Sequence, residues 1–186
     1  YIGECYEKME QFDKAIQTYQ EALTWDDTNT EALTGIAICY LEKEAYQKSL
    51  SYSEKAIQLS PQSSEIWVYI AEAKLNLKLH DEAILAYKSS LELNPNQVET
   101  IIALANIYYE LNEYHPAIEY YTKAYKIDPS TENIELYLAI AYYKINDINQ
   151  ALLFLEKAVK QSPEATNFFF EICPEAILQF ENYINK

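Results

Sequence analysis

Four prolines, Pro61, Pro95, Pro129 and Pro163, follow one another at intervals of 34 residues. A fixed period of this length constrains the fold more than composition does. Each copy is one supersecondary unit that buries its apolar face only by stacking on its neighbours. With the prolines at unit position 32, full units start at Thr30, Ser64, Val98 and Glu132, and Asp27 holds the proline phase of a truncated first unit. The expected organisation is a partial unit over 1–29, full units over 30–63, 64–97, 98–131 and 132–165, and capping helices over 166–186.

Other columns keep the same phase. Position 8 reads Gly3, Ala37, Ala71, Ala105, Ala139; position 20 reads Ala15, Ser49, Ala83, Ala117, Ala151; position 27 reads Ala22, Ala56, Ser90, Ala124, Ala158. Helix axes approach to about 8–10 Å only where side chains leave room. Small residues at 8 and 20 therefore let two helices of a unit cross closely, and those at 27 let the second helix meet the next unit. Large residues fill the gaps around them, such as Ile36, Ile70 and Leu104 at position 7 and Tyr19, Tyr87 and Tyr121 at position 24. Within a unit the apolar residues recur at helical spacing twice, as in Ile101, Leu104, Ala105, Tyr108 and then Ala117, Ile118, Tyr121, Ala124. Proline cannot continue the second helix, so the chain turns there.

Period, small-residue columns, aromatic columns and proline together resemble the tetratricopeptide repeat family, from residue 1 to about residue 165. The resemblance implies an all-α fold, a right-handed superhelix (α-solenoid) of antiparallel helix pairs with a 34-residue period. The sequence departs from the family at two columns. The usual tryptophan at position 4 survives only as Trp67, and the turn glycine at position 15 is replaced by Glu10, Glu44, Lys78, Asn112 and Asn146. Asn accepts left-handed backbone better than Glu or Lys does, so small local costs are expected there. Lys74 interrupts a tyrosine column and is expected to run its stem along the core with its head in water. The chain opens in mid-unit, and further repeats are expected upstream of Tyr1. Short helices are expected near 166–172 and 174–185, with Ile177, Phe180 and Ile184 apolar on the second.

Composition narrows the function. Only 2 Gly leave no room for phosphate-cradling loops. The 14 cationic residues are all Lys and face 29 Asp and Glu, a net charge of -15. Such a chain repels nucleic acid and anionic membrane surfaces, and no apolar run reaches the roughly 18 residues of a membrane span. Three scattered Cys and 2 His supply neither a disulfide framework nor a zinc site, so no metal and no cofactor are expected. Cys5 and Cys39 share a core-facing column and are expected as buried thiols; His80 and His115 sit near turns without a nucleophile, which argues against an enzyme. The reading is of a soluble chain, cytoplasmic for preference, with the compartment itself open.

The family resemblance implies that first helices line a concave groove, with positions 2, 5, 6, 9, 12 and 13 facing a bound partner. On this chain those positions give Tyr69, Glu72, Ile102, Asn106, Tyr109, Leu136, Tyr137, Ile140 and Tyr143 as the candidate partner-binding residues. The C-terminal half of the groove reads apolar and aromatic, the N-terminal half acidic through Glu4, Glu7, Glu31 and Glu72. A protein or peptide with apolar and basic residues suits such a wall. The family's carboxylate clamp is missing, because it needs Lys, Asn and Arg at these positions and the chain has no Arg. A non-catalytic interaction scaffold is therefore expected. The alternatives are self-association through the repeat ends and a regulatory segment of a larger chain.

Overall fold

The computed structural model describes residues 2–177 and residue 180. Among them every regular element is helical. The chain divides into two compact units, residues 1–100 and 101–186.

The first unit holds α1 (Ile2–Lys8), α2 (Phe12–Trp25), α3 (Thr30–Glu42), α4 (Tyr46–Leu59), α5 (Ser64–Asn76) and α6 (His80–Leu93), and α7 (Val98–Glu110) begins at its end. Each of α1 to α5 packs on the next, and α3 also touches α1 and α5. The second unit takes the rest of α7, then α8 (Tyr114–Ile127), α9 (Ile134–Lys144), α10 (Ile148–Gln161) and α11 (Ala165–Ile172), ending in a 3-10 turn at Pro174–Ala176. There α8 packs on α9, α9 on α10, and α11 on both α9 and α10.

The small-residue columns lie where close packing needs them. Ala37, Ala71, Ala105, Ala139, Ala15, Ser49, Ala83, Ala117 and Ala151 have no exposed surface. Second helices stop two residues before the prolines: α4, α6 and α8 end at Leu59, Leu93 and Ile127, ahead of Pro61, Pro95 and Pro129. The residue between, Ser60, Asn94 or Asp128, leaves the helical region, as the residue before a proline is driven to do. Several first turns are capped by side chains. Asn29 Oδ1 accepts from the Ala32 N–H at 2.9 Å and Asp147 Oδ1 from the Gln150 N–H at 3.1 Å.

The five residues that replace the turn glycine all adopt left-handed backbone, with φ 56 at Glu10 and Glu44, 64 at Lys78, 61 at Asn112 and 62 at Asn146. Each closes a paired hydrogen-bond cap on the helix before it. At Glu44 the Ala45 N–H donates to the Tyr40 carbonyl and the Glu44 N–H to the Leu41 carbonyl, both at 2.8 Å. Gln11, Leu79, Glu113 and Asp147 repeat the longer bond to Tyr6, Lys74, Tyr108 and Tyr142. The geometry of the cap fixes the φ, and the residue type has to bear it.

One expectation needs correction. Cys5 is exposed while Cys39 is buried, although both occupy the same column; no described element covers that side of α1. Lys74 is half-buried, and its Nζ donates to the exposed Glu82 Oε2 at 2.8 Å across the α5–α6 turn. The second terminal helix, expected over 174–185, lies largely outside the described residues; what is described there is the 3-10 turn, an exposed Ile177 and a fully buried Phe180.

Candidate functional site

Each unit carries a cleft on the side of its first helices. In the second unit a cleft of about 420 Å³ is lined by Asn106, Tyr109 and Glu110 of α7, Tyr121 of α8, Tyr137 and Ile140 of α9, and Ile172 of α11. Asn106 and Tyr109 sit three apart on α7, and Tyr137 and Ile140 three apart on α9, so both pairs point the same way from parallel register positions. Tyr121 reaches through from the second helix. Its ring stacks on Tyr137 with centroids 5.5 Å apart, and its hydroxyl donates to Asn106 Oδ1 at 2.6 Å. Burial pushes the Tyr121 phenol well above its ordinary pKa, reinforced by Tyr137, Tyr109 and Glu110 nearby. Tyr109 is likewise pushed up to about 12, chiefly by burial. Both phenols therefore remain protonated hydrogen-bond donors across the physiological range. The cleft thus offers an aromatic and aliphatic wall, one exposed amide and one carboxylate, with no cationic residue among the described residues that line it.

The first unit's cleft, about 330 Å³, has a different character. Glu4 and Glu7 of α1, Glu31 of α3 and Glu65 of α5 converge on it, with Tyr19, Gly35 and Ile38 between them. Tyr19 donates to Glu7 Oε2 at 3.1 Å. Its ring fills the space that side chains at two glycines would need: a Cβ at Gly3 or Gly35 would lie 2.5 or 2.4 Å from ring atoms. The Glu7 carboxyl is held above its usual range, first by desolvation and then by Glu4 and Glu42, against the pull of the Tyr19 hydrogen bond.

Four of the nine sequence-derived candidates come together in the second cleft: Asn106, Tyr109, Tyr137 and Ile140. Ile102 is half-buried on α7 outside it. Leu136, Ile140 and Tyr143 do not form the open wall that the sequence suggested, since all three are buried. Ile140 floors the cleft. Tyr143 is covered edge-on by Phe169 and Phe180, each with its ring centroid 5.8 Å away. In the first unit Tyr69 and Glu72 are half-buried on α5 and lie outside the acidic cleft. Tyr69 donates to Glu65 Oε1 at 2.8 Å, and Glu72 is held above its usual range by desolvation and by Glu42. The sequence reading passed over Tyr19, Tyr121 and Ile172. The two tyrosines stand in a column read as core filler, and only the small or polar residue facing each of them signals that the hydroxyl reaches the cleft.

Among the described residues no group of three or more His, Cys, Asp or Glu could hold a metal ion, and no helix is long and apolar enough to cross a membrane. His115 is exposed and His80 half-buried.

The family model for Intraflagellar transport protein 56 matches residues 1–182. No curated protein matches the chain. Among solved structures, MamA superposes with a TM-score of 0.82 at 23% identity, over 90% of this chain and 98% of MamA. YrrB, a TPR protein with an unusual peptide-binding site, gives 0.75 at 19% identity, over 87% of this chain and 83% of its own. PilF of Pseudomonas aeruginosa gives 0.78 at 22% identity, over 91% and 79%. These likenesses establish the tetratricopeptide repeat fold, an all-α α-solenoid.

Proposed function

The chain belongs to the Intraflagellar transport protein 56 family, and from that membership we propose that it is a non-catalytic scaffold of intraflagellar transport that holds a peptide of a partner protein against its first helices. The observation that carries this reading is the second unit's cleft, where Tyr109, Tyr137 and Ile140 leave an aromatic and aliphatic hollow beside an exposed amide. A tyrosine offers a large, rigid contact area with a polar tip at low entropic cost, which suits it to anchoring a peptide. The peptide-binding site of YrrB, a protein of this fold, is in keeping with the reading. The partner segment is apolar with Lys or Arg at its flanks, because the protein carries a net charge of -15 and Glu110 stands at the cleft. The acidic cleft of the first unit repeats the same preference for cations.

Photo-crosslinking from position 109 in cells that express the protein tests this. A discrete crosslinked partner, lost in the Tyr137→Ser variant, is expected. Partners that stay bound after both Tyr109 and Tyr137 are changed to Ser would sink the reading.

Self-association is a second reading, favoured by exposed Phe168 and Ile172 on α11 and by Ile177 after it. Sedimentation at several concentrations separates the two.

A further inference from the structure

The proposed site contains one polar contact that sets its chemistry. Asn106 is exposed and lines the second unit's cleft, and its only hydrogen bond among the described side chains is the one it accepts from the Tyr121 hydroxyl. An amide can be turned either way at almost no cost, and with it the cleft would offer an acceptor or a pair of donors. The Tyr121 contact removes that freedom. The amide oxygen faces the phenol and accepts its proton at 2.6 Å, a short O–H···O bond. The Tyr121 ring is itself held, with 3% exposure and the Tyr137 ring stacked on it. With the oxygen engaged, the Asn106 NH2 group is left as the donor that the cleft presents.

We propose that Tyr121 is a positioning residue that acts through Asn106, turning its amide so that the cleft reads a main-chain carbonyl of an extended partner peptide. The inference rests on the peptide-binding reading above and deepens it. The occupant is an extended segment with an aliphatic side chain against Tyr109, Tyr137 and Ile140 and a Lys or Arg beside Glu110. A main-chain carbonyl next to that aliphatic residue accepts from Asn106 Nδ2. The first unit shows that the device depends on the residue it holds: there the tyrosine of the same column, Tyr19, holds the carboxylate of Glu7, which can only accept.

The test uses the whole 186-residue chain. A dodecapeptide is selected on the wild-type chain from a random phage-displayed library, synthesised with a fluorescent label, and titrated against three variants by anisotropy. Tyr121→Phe keeps the ring and its stacking and loses the hold on the amide; with two orientations of near-equal cost, binding is expected to weaken roughly 2-fold. Asn106→Ala removes the donor and should weaken binding roughly 3- to 10-fold, the size of one net hydrogen bond, and adding Tyr121→Phe to it should cost little more, because the two residues act as one. Asn106→Asp discriminates most sharply. It keeps the Tyr121 contact and the shape of the side chain, replaces the NH2 donors by an acceptor and adds a negative charge; that charge favours a flanking Lys or Arg, so a merely structural role predicts unchanged or tighter binding, whereas the proposal predicts a loss of roughly 10-fold or more. A peptide that binds wild type, Tyr121→Phe and Asn106→Asp equally would overturn the assignment of Tyr121 and leave the peptide site standing. Failure to select any peptide whose binding is lost on Tyr109→Ser would overturn the site and the assignment together.

Discussion

Replacing Glu44 by glycine should stabilise the protein, and the structure ranks the gain against those of its sister positions. Glu44 sits at φ 56 just past the end of α3, with its own N–H and that of Ala45 closing the cap. A non-glycine residue in that conformation costs about 1–2 kcal/mol, which glycine avoids. Glycine's greater freedom in the unfolded chain offsets about 0.5–1 kcal/mol of this. The carboxylate also stands at the negative end of the helix dipole, and its removal adds about 0.3–1 kcal/mol at low salt. The balance for Glu44→Gly, and for Glu10→Gly by the same reasoning, is a gain of about 1–2 kcal/mol. Lys78→Gly relieves the same backbone but loses a cation that favours the helix end, so its net effect is about zero. Asn112→Gly and Asn146→Gly should also gain little, since Asn tolerates the left-handed region. In a chain of this size a gain of 1 kcal/mol raises the melting temperature by roughly 2–4 °C. The assay is urea unfolding at low and high salt, followed by helical circular dichroism and by fluorescence. Trp67, half-buried on α5, lies in the same unit as Glu44 and reports on it locally. Glu44→Ala is the decisive control, because alanine removes the charge and keeps the Cβ. If Glu44→Ala gains as much as Glu44→Gly, or if Lys78→Gly gains as much as Glu44→Gly at low salt, the reasoning is refuted.

Gly35→Ala should destabilise the first unit by about 1–3 kcal/mol, as overpacking does, because its Cβ would sit 2.4 Å from the Tyr19 ring; thermal melts of Gly35→Ala with and without Tyr19→Leu should show the loss largely recovered in the pair. Ser49→Ala should stabilise by about 1 kcal/mol, because the Ser49 hydroxyl is buried without a hydrogen-bond partner among the described residues and the other units carry alanine at that position; an unchanged or lowered urea midpoint would argue against it. Glu72 is held above 4.5, first by desolvation and then by Glu42, so the native state binds extra protons and stability should rise as pH falls from neutral through that raised pKa, levelling off below 4.5. Urea midpoints measured between neutral and mildly acid pH should show a smaller rise in Glu72→Gln. Native Cys5 should react with a thiol reagent while Cys39, buried with its thiol pushed up to about 12, stays protected until the protein unfolds.

The columns that repeat were legible because the packing that selects them repeats. An alanine at position 8 or 20 answers a helix crossing that recurs in each unit, and Ala37, Ala71, Ala83 and Ala117 are all fully buried. The turn position was legible against its own residue types. Nothing about glutamate or lysine asks for a positive φ, yet Glu44 and Lys78 adopt it because the cap hydrogen bonds require that geometry at that step of the period. Burial of the candidate wall was not legible, and the reason is specific. Helical phase tells which way Leu136, Ile140 and Tyr143 point but not what lies over them, and the aromatic cover on Tyr143 comes from Phe169 and Phe180, in the one stretch where the period breaks down. Cys5 and Cys39 make the same point in reverse, since one column gives one exposed and one buried thiol according to what packs alongside.

Tyr19 and Tyr121 were hidden for a different reason. Their rings satisfy the core column, so the pattern is complete without their hydroxyls, and where each hydroxyl ends depends on a residue of the first helix, Glu7 or Asn106, that the period leaves free to vary. A repeat fold therefore reveals its packing through what recurs and its recognition chemistry through what does not. In this chain the informative step is to read Tyr19 and Tyr121 each together with the variable residue that receives its proton: a carboxylate in the first unit, which can only accept from a ligand, and an amide in the second, whose NH2 is left to donate.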